Sequence, residues 1–306
     1  MNKRQLGSSN LMVSEIGLGC MTLGTDEKKA TDIVNRALDA GINYLDTADL
    51  YNFGRNEEIV GKALKGRRDE IILGTKGGNH FDRDKEDWYW DPSKSYIKEA
   101  IKNSLHRLGT DYIDLYQLHG GTIDDPIDET IAAFDELVQE GLVRYYGISS
   151  IRPNVIREYV KRSNIVSVMM QYSLLDRRPE EEILDLLNEN QISVLARGPL
   201  AKGMLSNNGL DKVHEKAQEG YLSYSQEEVK HMVEHLLGHS SEERSLQALA
   251  LQYVLQDPTV STAVFGASSA EQLERNLSML EAPPLTEDVY AQLQQITRPI
   301  VYQKHR

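Results

Sequence analysis

The chain has 306 residues, with 34 Lys+Arg against 47 Asp+Glu and a formal net charge of −13. That balance opposes loose binding to nucleic acid or anionic lipid, which needs clustered cations, and the single cysteine, Cys20, excludes an internal disulfide framework and argues against a cysteine-based metal site. No run approaches the roughly 20 apolar residues of a membrane span and the first residues show no signal-peptide core, so the expectation is a soluble, reducing, cytoplasmic protein with one domain over 1–306.

In chain order, Gln5–Gly7 and Leu11–Val13 read as a hairpin that plugs the bottom of the body built by the rest of the chain. Short apolar runs then alternate with segments of helical spacing. Ile16–Gly19 precedes Lys28–Ala40, Asn43–Asp46 precedes Glu57–Leu64, Ile71–Thr75 precedes Ser93–Leu108, and Ile113–Leu118 precedes Ile127–Glu140. The second half repeats the pattern: Arg144–Ile148 with Asn154–Lys161, Val166–Met170 with Glu180–Glu189, Ser193–Ala196 with Glu242–Leu255, and Thr262–Phe265 with Ala270–Leu280. Parallel neighbours need crossovers, and eight such strands can close on themselves and leave no edge. An open doubly wound sheet is the rival, but no G-x-G-x-x-G turn comes after the first strand. The predicted fold is therefore α/β: a (β/α)8 TIM barrel with an N-terminal hairpin and an extra C-terminal helix at Glu287–Ile296. Two connections, Gly77–Pro92 and Gly198–Ser225, exceed the usual length of about 2–6 residues. Both come after strands, so both belong to the face where barrels build active sites.

Four polar residues stand at or just past successive strand ends: Asp46, Tyr51, Lys76 and His119. A buried Asp and a buried Lys must pair to offset their desolvation. A free phenol ionises near pH ~10, too high for an efficient acid at neutrality, and an adjacent ammonium stabilises the phenolate. Lys76 beside Tyr51 is thus expected to make a proton donor for a developing alkoxide, with His119 bonded to the substrate oxygen or to the phenol. Such a donor needs a hydride source, which side chains do not supply. Taken singly, each residue has a plainer role as helix cap, ion-pair partner, surface aromatic or core histidine; it is their order together that favours chemistry. Trp88 and Trp90 either anchor the first long connection or line an apolar pocket. The scattered His214, His231, His235 and His239 show no metal-ligand pattern.

DTADLYNFGRNEEIVGKAL (46–64), LGTK (73–76), DYIDLYQLHG (111–120), YGIS (146–149), GPLAKGML (198–205) and FGASSAEQLERNL (265–277) resemble, in order and spacing, the signatures of the aldo-keto reductases. The similarity is to the bacterial branch that includes reductases like the potassium-channel β subunits. The resemblance implies reduction of an aldehyde or ketone by direct hydride transfer from NADPH, with the tetrad Asp46, Tyr51, Lys76 and His119, Tyr51 as acid, and no metal. It also implies cofactor contacts. Cys20 and Met21 pass by the nicotinamide, Ser149 holds the carboxamide, and Arg197 stands where an aromatic often stacks. Pro199, Leu200 and Gly203 belong to the loop over the pyrophosphate, and Ser268, Gln272, Arg275 and Asn276 to the 2′-phosphate and adenine end.

The chain departs from the family in four places. Met169 replaces the glutamine that usually binds the carboxamide, and Gln171, on the same strand face, is the expected substitute. Ser150 replaces a frequent asparagine or arginine, Asn207 and Asn208 stand near a usual lysine, and Ser268 and Ser269 near a usual arginine or lysine. The last two departures remove cations that favour a 2′-phosphate, so NADH is not excluded beside NADPH, with Lys202, Lys212 and Arg275 left to compensate. The alternative function is a nicotinamide-binding regulatory or sensor barrel with slow turnover. The expected partner is a small-molecule carbonyl, without nucleic acid or membrane; the oligomeric state stays open.

Overall fold

The computed structural model describes residues 1–306. Its strands are β1 (Lys3–Gln5), β2 (Met12–Ser14), β3 (Ile16–Gly19), β4 (Tyr44–Asp46), β5 (Ile72–Gly77), β6 (Asn79–Asp82), β7 (Asp87–Trp90), β8 (Ile113–Leu118), β9 (Val143–Ser149), β10 (Ser167–Gln171), β11 (Ser193–Arg197) and β12 (Val260–Gly266). Eight of them, β3-β4-β5-β8-β9-β10-β11-β12, form a closed barrel with parallel pairing throughout. The crossovers carry α1 (Glu27–Asp39), α2 (Arg55–Ala63), α3 (Lys94–Leu108), α4 (Ile127–Gln139), α5 (Pro153–Arg162), α6 (Ile183–Glu189), α7 (Gly209–Lys216), α8 (Gln226–Leu237), α9 (Leu246–Gln256) and α10 (Ala270–Ser278). The extra helix α11 (Glu287–Ile296) comes after the last unit, capped by the Thr286 side chain. Local chemistry starts these helices where it should: Asp26 accepts from the backbone of Lys28 and Lys29, and Ser93 from Tyr96.

Strand alternation divides the core in two. Ile16, Leu18, Leu45, Leu73, Val168 and Val194 face outward and merge with the helices in a cluster of 76 buried residues. The alternate set, Tyr44, Ile72, Leu115, Met169, Leu195 and Val264, faces inward and meets Leu6, Leu11 and Val13 of the β1–β2 hairpin in a second cluster of 10. The hairpin therefore closes one end of the barrel, pinned by Gly7 N donating to Ser193 Oγ at 2.7 Å and Ser261 Oγ donating to Gln5 O at 2.8 Å. Tyr44 fits inside only because two neighbours lack side chains. A Cβ at Gly17 would lie 2.7 Å from Tyr44 Cδ1, and one at Gly74 would lie 2.7 Å from Tyr44 Oη. One layer further along the same inward face stand Asp46, Lys76, Gln117, Ser149, Gln171 and Arg197, at the opposite mouth.

The long connections are more ordered than their sequence suggests. Residues 77–92 contain the antiparallel β6–β7 hairpin, with His80 stacked between Tyr89 and Tyr96 at centroid distances of 4.8 and 4.4 Å. Its charged turn masks any strand alternation. The segment after β11 holds α7, and α8 comes directly after it; the Ser225–Glu228 capping box is the local signal for α8. The helix expected over Glu180–Glu189 is broken at Glu182 (φ −161°), with a 3-10 turn at Arg178–Glu181 ahead of α6. No helix is long and apolar enough to cross a membrane, and no group of three or more His, Cys, Asp or Glu side chains converges to hold a metal ion.

Candidate active site

Strands β4 and β5 are neighbours, with Asp46 opposite Gly74. Lys76, two residues further on the same face, brings Nζ to 2.6 Å from Asp46 Oδ2. The same ammonium donates to Thr47 O at 2.8 Å and to Tyr51 Oη at 3.1 Å. All its protons are then used, and because the Tyr51 oxygen accepts one of them, the phenol's own hydrogen is left to be donated outward. Lys76 and Asp46 are only 1% and 4% exposed. Burial opposes the Lys76 charge, but Asp46 and Tyr51 outweigh it and hold the ammonium above its ordinary range. Burial pushes the Asp46 carboxyl up, against the pull of Lys76. Tyr44 Oη at 3.3 Å and Gln117 Nε2 at 3.4 Å give Asp46 two further, longer donors.

Tyr51 is set by a tight turn between β4 and α2. Asn52, Phe53 and Gly54 all lie in the left-handed region, at φ +49°, +50° and +84°. For the two non-glycine residues this costs about 1–3 kcal/mol each and persists only where the surroundings impose it. Here Thr47 Oγ1 donates to Asn56 Oδ1 at 2.7 Å and Asn56 Nδ2 to Cys20 O at 2.8 Å, tying the turn to the end of β3. The Tyr51 and His119 rings meet edge-on with centroids 5.7 Å apart, rather than through a hydrogen bond. His119 Nδ1 is buried without a partner. Burial first, then the charges of Lys76 and Arg197, push its imidazole down to about 3, so it is neutral at physiological pH.

The residues expected at the cofactor lie around the mouth on β3 and β9–β12. Ser149 ends β9, half-buried, opposite Met169 of β10. Gln171 shares the inward face with Met169 and pairs in register with Arg197, but both its polar ends are engaged: Nε2 donates to Tyr221 Oη at 2.9 Å, and Oε1 accepts from Arg197 at 3.4 Å. Cys20 is fully buried, and burial followed by Asp46 pushes its thiol up, whereas Met21 is exposed. Beyond buried Pro199 and half-buried Leu200, residues Ala201, Lys202 and Gly203 run at φ +46°, +58° and +88°. On the β12 side, Ser268 donates through N and Oγ to Gln272 Oε1 at 2.9 and 3.0 Å, and buried Asn276 holds Gly266 O at 3.3 Å. Of the cations left to compensate, Lys212 pairs with Glu215 at 2.8 Å and Lys202 lies 5.9 Å over the Tyr221 ring. Arg275 is exposed at the end of α10.

A cavity of about 370 Å³ opens beside His119, lined also by Asn79, Trp88, Trp90, Thr122, Ser149, Arg152 and Arg197. Trp90 meets both expectations: it lines this cavity, and its Nε1 anchors the hairpin to Asp125 Oδ1 at 3.0 Å. Trp88 lines it while 51% exposed. Sequence reasoning passed over Gln117, which two-residue parity with His119 would have found, and Arg152, which no local pattern marks.

A profile of the Aldo/keto reductase family matches residues 15–298. The chain is 59% identical over 307 residues to the uncharacterized oxidoreductase YqkF of Bacillus subtilis (strain 168), covering 100% of both. It is 31% identical to the NADH-specific methylglyoxal reductase of Escherichia coli (strain K12), covering 92% of this chain and 94% of that one. Among solved structures, the holo form of aldo-keto reductase AKR11C1 from Bacillus halodurans is similar at a TM-score of 0.93 and 59% identity, over 100% of this chain and 99% of the other. The apo form of the same protein is similar at 0.86 and 57% identity, with the same coverage.

Proposed function

The chain belongs to the aldo/keto reductase family, whose members are oxidoreductases using nicotinamide cofactors, and from that premise we propose that it reduces aldehydes or ketones to alcohols with NADPH, Tyr51 giving the proton. The whole chain, 1–306, is on this reading one barrel domain working in the cytoplasm. A single observation carries the chemistry: Lys76 donates to the Tyr51 oxygen at 3.1 Å while Asp46 holds Lys76 at 2.6 Å.

The residues around the mouth fit a dinucleotide. Gln171 and Arg197 lie in register beside Ser149, the backbone at Ala201–Gly203 adopts a left-handed run, and Arg275 keeps an exposed guanidinium in the last turn of α10. When bound, the reduced nicotinamide supplies the hydride. Ser149, and Gln171 through the second hydrogen of its Nε2, would hold its carboxamide end, Cys20 and Met21 would pass beside the ring, and Arg197 would stack on it. Pro199, Leu200 and Gly203 would cover the pyrophosphate. Ser268, Gln272, Arg275 and Asn276 would take the adenine and 2′-phosphate end, and Arg275 supports NADPH over NADH.

The chain's own groups handle the proton. As negative charge grows on the substrate oxygen, Tyr51 donates its hydroxyl hydrogen to it. Lys76 stabilises the phenolate left behind, and Asp46 keeps Lys76 charged and aimed. Neutral His119 offers the substrate oxygen a hydrogen bond without placing a second cation beside Lys76.

The test joins Tyr51→Phe to a titration of NADPH against NADH. The variant is expected to lose nearly all turnover of a small aldehyde panel while binding NADPH as tightly as the wild type. Normal turnover in Tyr51→Phe would refute the proton assignment. Tight binding with negligible turnover in the wild type would favour a nicotinamide-binding sensor instead.

A further inference from the structure

We propose that the site prefers carbonyl substrates that carry a carboxylate, and that Arg152 receives it. The proposal rests on the carbonyl-reductase reading above and adds the substrate class.

The chain is acidic overall, at −13, yet the cavity beside His119 has two guanidiniums, Arg152 and Arg197, and no Asp or Glu in its lining. A second cavity of about 430 Å³ shares Ile151 and Arg152 with the first and adds Lys304, His305 and Arg178, whose charge Asp176 behind it offsets, with no acidic residue in its own lining. Two adjoining cavities free of carboxylates make a local positive funnel in a negative protein, which concentrates anionic solutes at the mouth.

The charge on Arg152 is not used by the fold. Every arginine except Arg152, Arg197, Arg244 and Arg275 pairs with a carboxylate. Arg244 is held by the carbonyls of Pro283 and Pro284. Arg197 and Arg275 stand among the residues assigned to the cofactor. Arg152 stands apart: it lies just past β9, and its Nη1 donates to Gly121 O in the loop after β8, on the substrate side with the β6–β7 hairpin. That bond holds the side chain, and the bond from the Arg152 backbone N to Ser150 Oγ at 3.2 Å fixes the main chain it stands on. Arg152 lines both cavities, and beyond the bond to Gly121 O its guanidinium makes no hydrogen bond within the protein; its planar fork of donors matches a carboxylate. Trp88 and Trp90 provide a flat apolar wall for the spacer between carbonyl and anion.

The probes are 4-carboxybenzaldehyde and its methyl ester, which share the aldehyde and ring and differ in charge and in one methyl group. The readout is the acid-to-ester ratio of kcat/KM with NADPH for the full chain, its Arg152→Gln variant and its Arg152→Lys variant. Arg152→Gln is expected to lower the ratio about tenfold, and Arg152→Lys to keep part of it, since a point charge survives without the fork. The ratio cancels general damage and the unequal reactivity of the two aldehydes. An unchanged ratio in Arg152→Gln overturns the proposal. So does a loss of NADPH affinity that accounts for the change, since the charge would then serve the cofactor. If the wild type reduces neither probe nor any aldehyde of the panel, the reductase reading fails, and the anion site is judged by binding alone. Binding of the product acid, 4-(hydroxymethyl)benzoate, monitored by tryptophan quenching, then decides: about tenfold weaker binding in Arg152→Gln supports the assignment, and equal binding refutes it.

Discussion

Lys76→Met removes a charge from the barrel mouth while keeping a side chain of similar length. Asp46, 4% exposed, would retain only Tyr44 Oη at 3.3 Å and Gln117 Nε2 at 3.4 Å in place of the 2.6 Å ammonium contact. Thr47 O and Tyr51 Oη would lose a donor as well. Breaking one side of a buried pair costs about 3–5 kcal/mol, and the packing that methionine restores places the expected loss near ~3 kcal/mol at pH 7. Urea unfolding monitored by circular dichroism reads it directly. The double variant Asp46→Asn with Lys76→Met removes both charges, so it should be more stable than the sum of the single losses by about 2 kcal/mol. The pH dependence supplies a second check. Burial already raises the Asp46 carboxyl, and removal of Lys76 raises it further. A carboxyl whose folded pKa lies above its unfolded value adds stability below the unfolded value and loses that contribution as pH rises through the folded one. Lys76→Met should therefore regain stability relative to the wild type as pH is lowered from neutrality. A loss under about 1 kcal/mol at pH 7, with additive single effects, would refute the picture of an obligatory buried pair.

Three further outcomes rest on the same geometry. His119 is held down to about 3 by burial and then by Lys76 and Arg197, so below pH ~6.5 the unfolded chain takes a proton that the native state refuses. Native stability should fall by about 2 kcal/mol between pH 7 and 5 from this group alone, and His119→Phe should flatten that slope in urea titrations at the two pH values. Gly74→Ala would put a methyl 2.7 Å from Tyr44 Oη and should cost about 1–3 kcal/mol in thermal melts; Tyr44→Leu in the same chain should recover part of it, and full additivity would contradict the clash. The Cys20 thiol is buried and pushed up, so a disulfide reagent such as DTNB should leave the native protein untouched and react only in urea; rapid native labelling would disprove its burial.

The barrel and the Asp46–Lys76 pair at its mouth were legible because they rest on local periodicity. Alternation along each strand decides which residues face inward, and a strand end places the next inward residue at the mouth. Asp46, Lys76 and His119 all come from that parity. Tyr51 is placed by its distance past β4, and the hairpin plug by apolar residues with no other partner. Two ordered segments were hidden for opposite reasons. The β6–β7 hairpin carries the Asp82–Asp87 pair and exposed aromatics in place of an apolar–polar alternation, whereas α8 carries a readable cap in Ser225 and Glu228 just past the end of the expected Gly198–Ser225 connection, before the helix expected at Glu242.

The amino-acid order by itself determined the closed barrel, its plug and the buried pair, since each depends on residues close in sequence or on regular strand spacing. Tertiary structure alone decided that the imidazole of His119 is neutral and touches the phenol edge-on, that both ends of Gln171 are occupied, and that Arg152 is left without a carboxylate. Whether a polar group is satisfied depends on which distant segments converge on it, and no local pattern of residues carries that information.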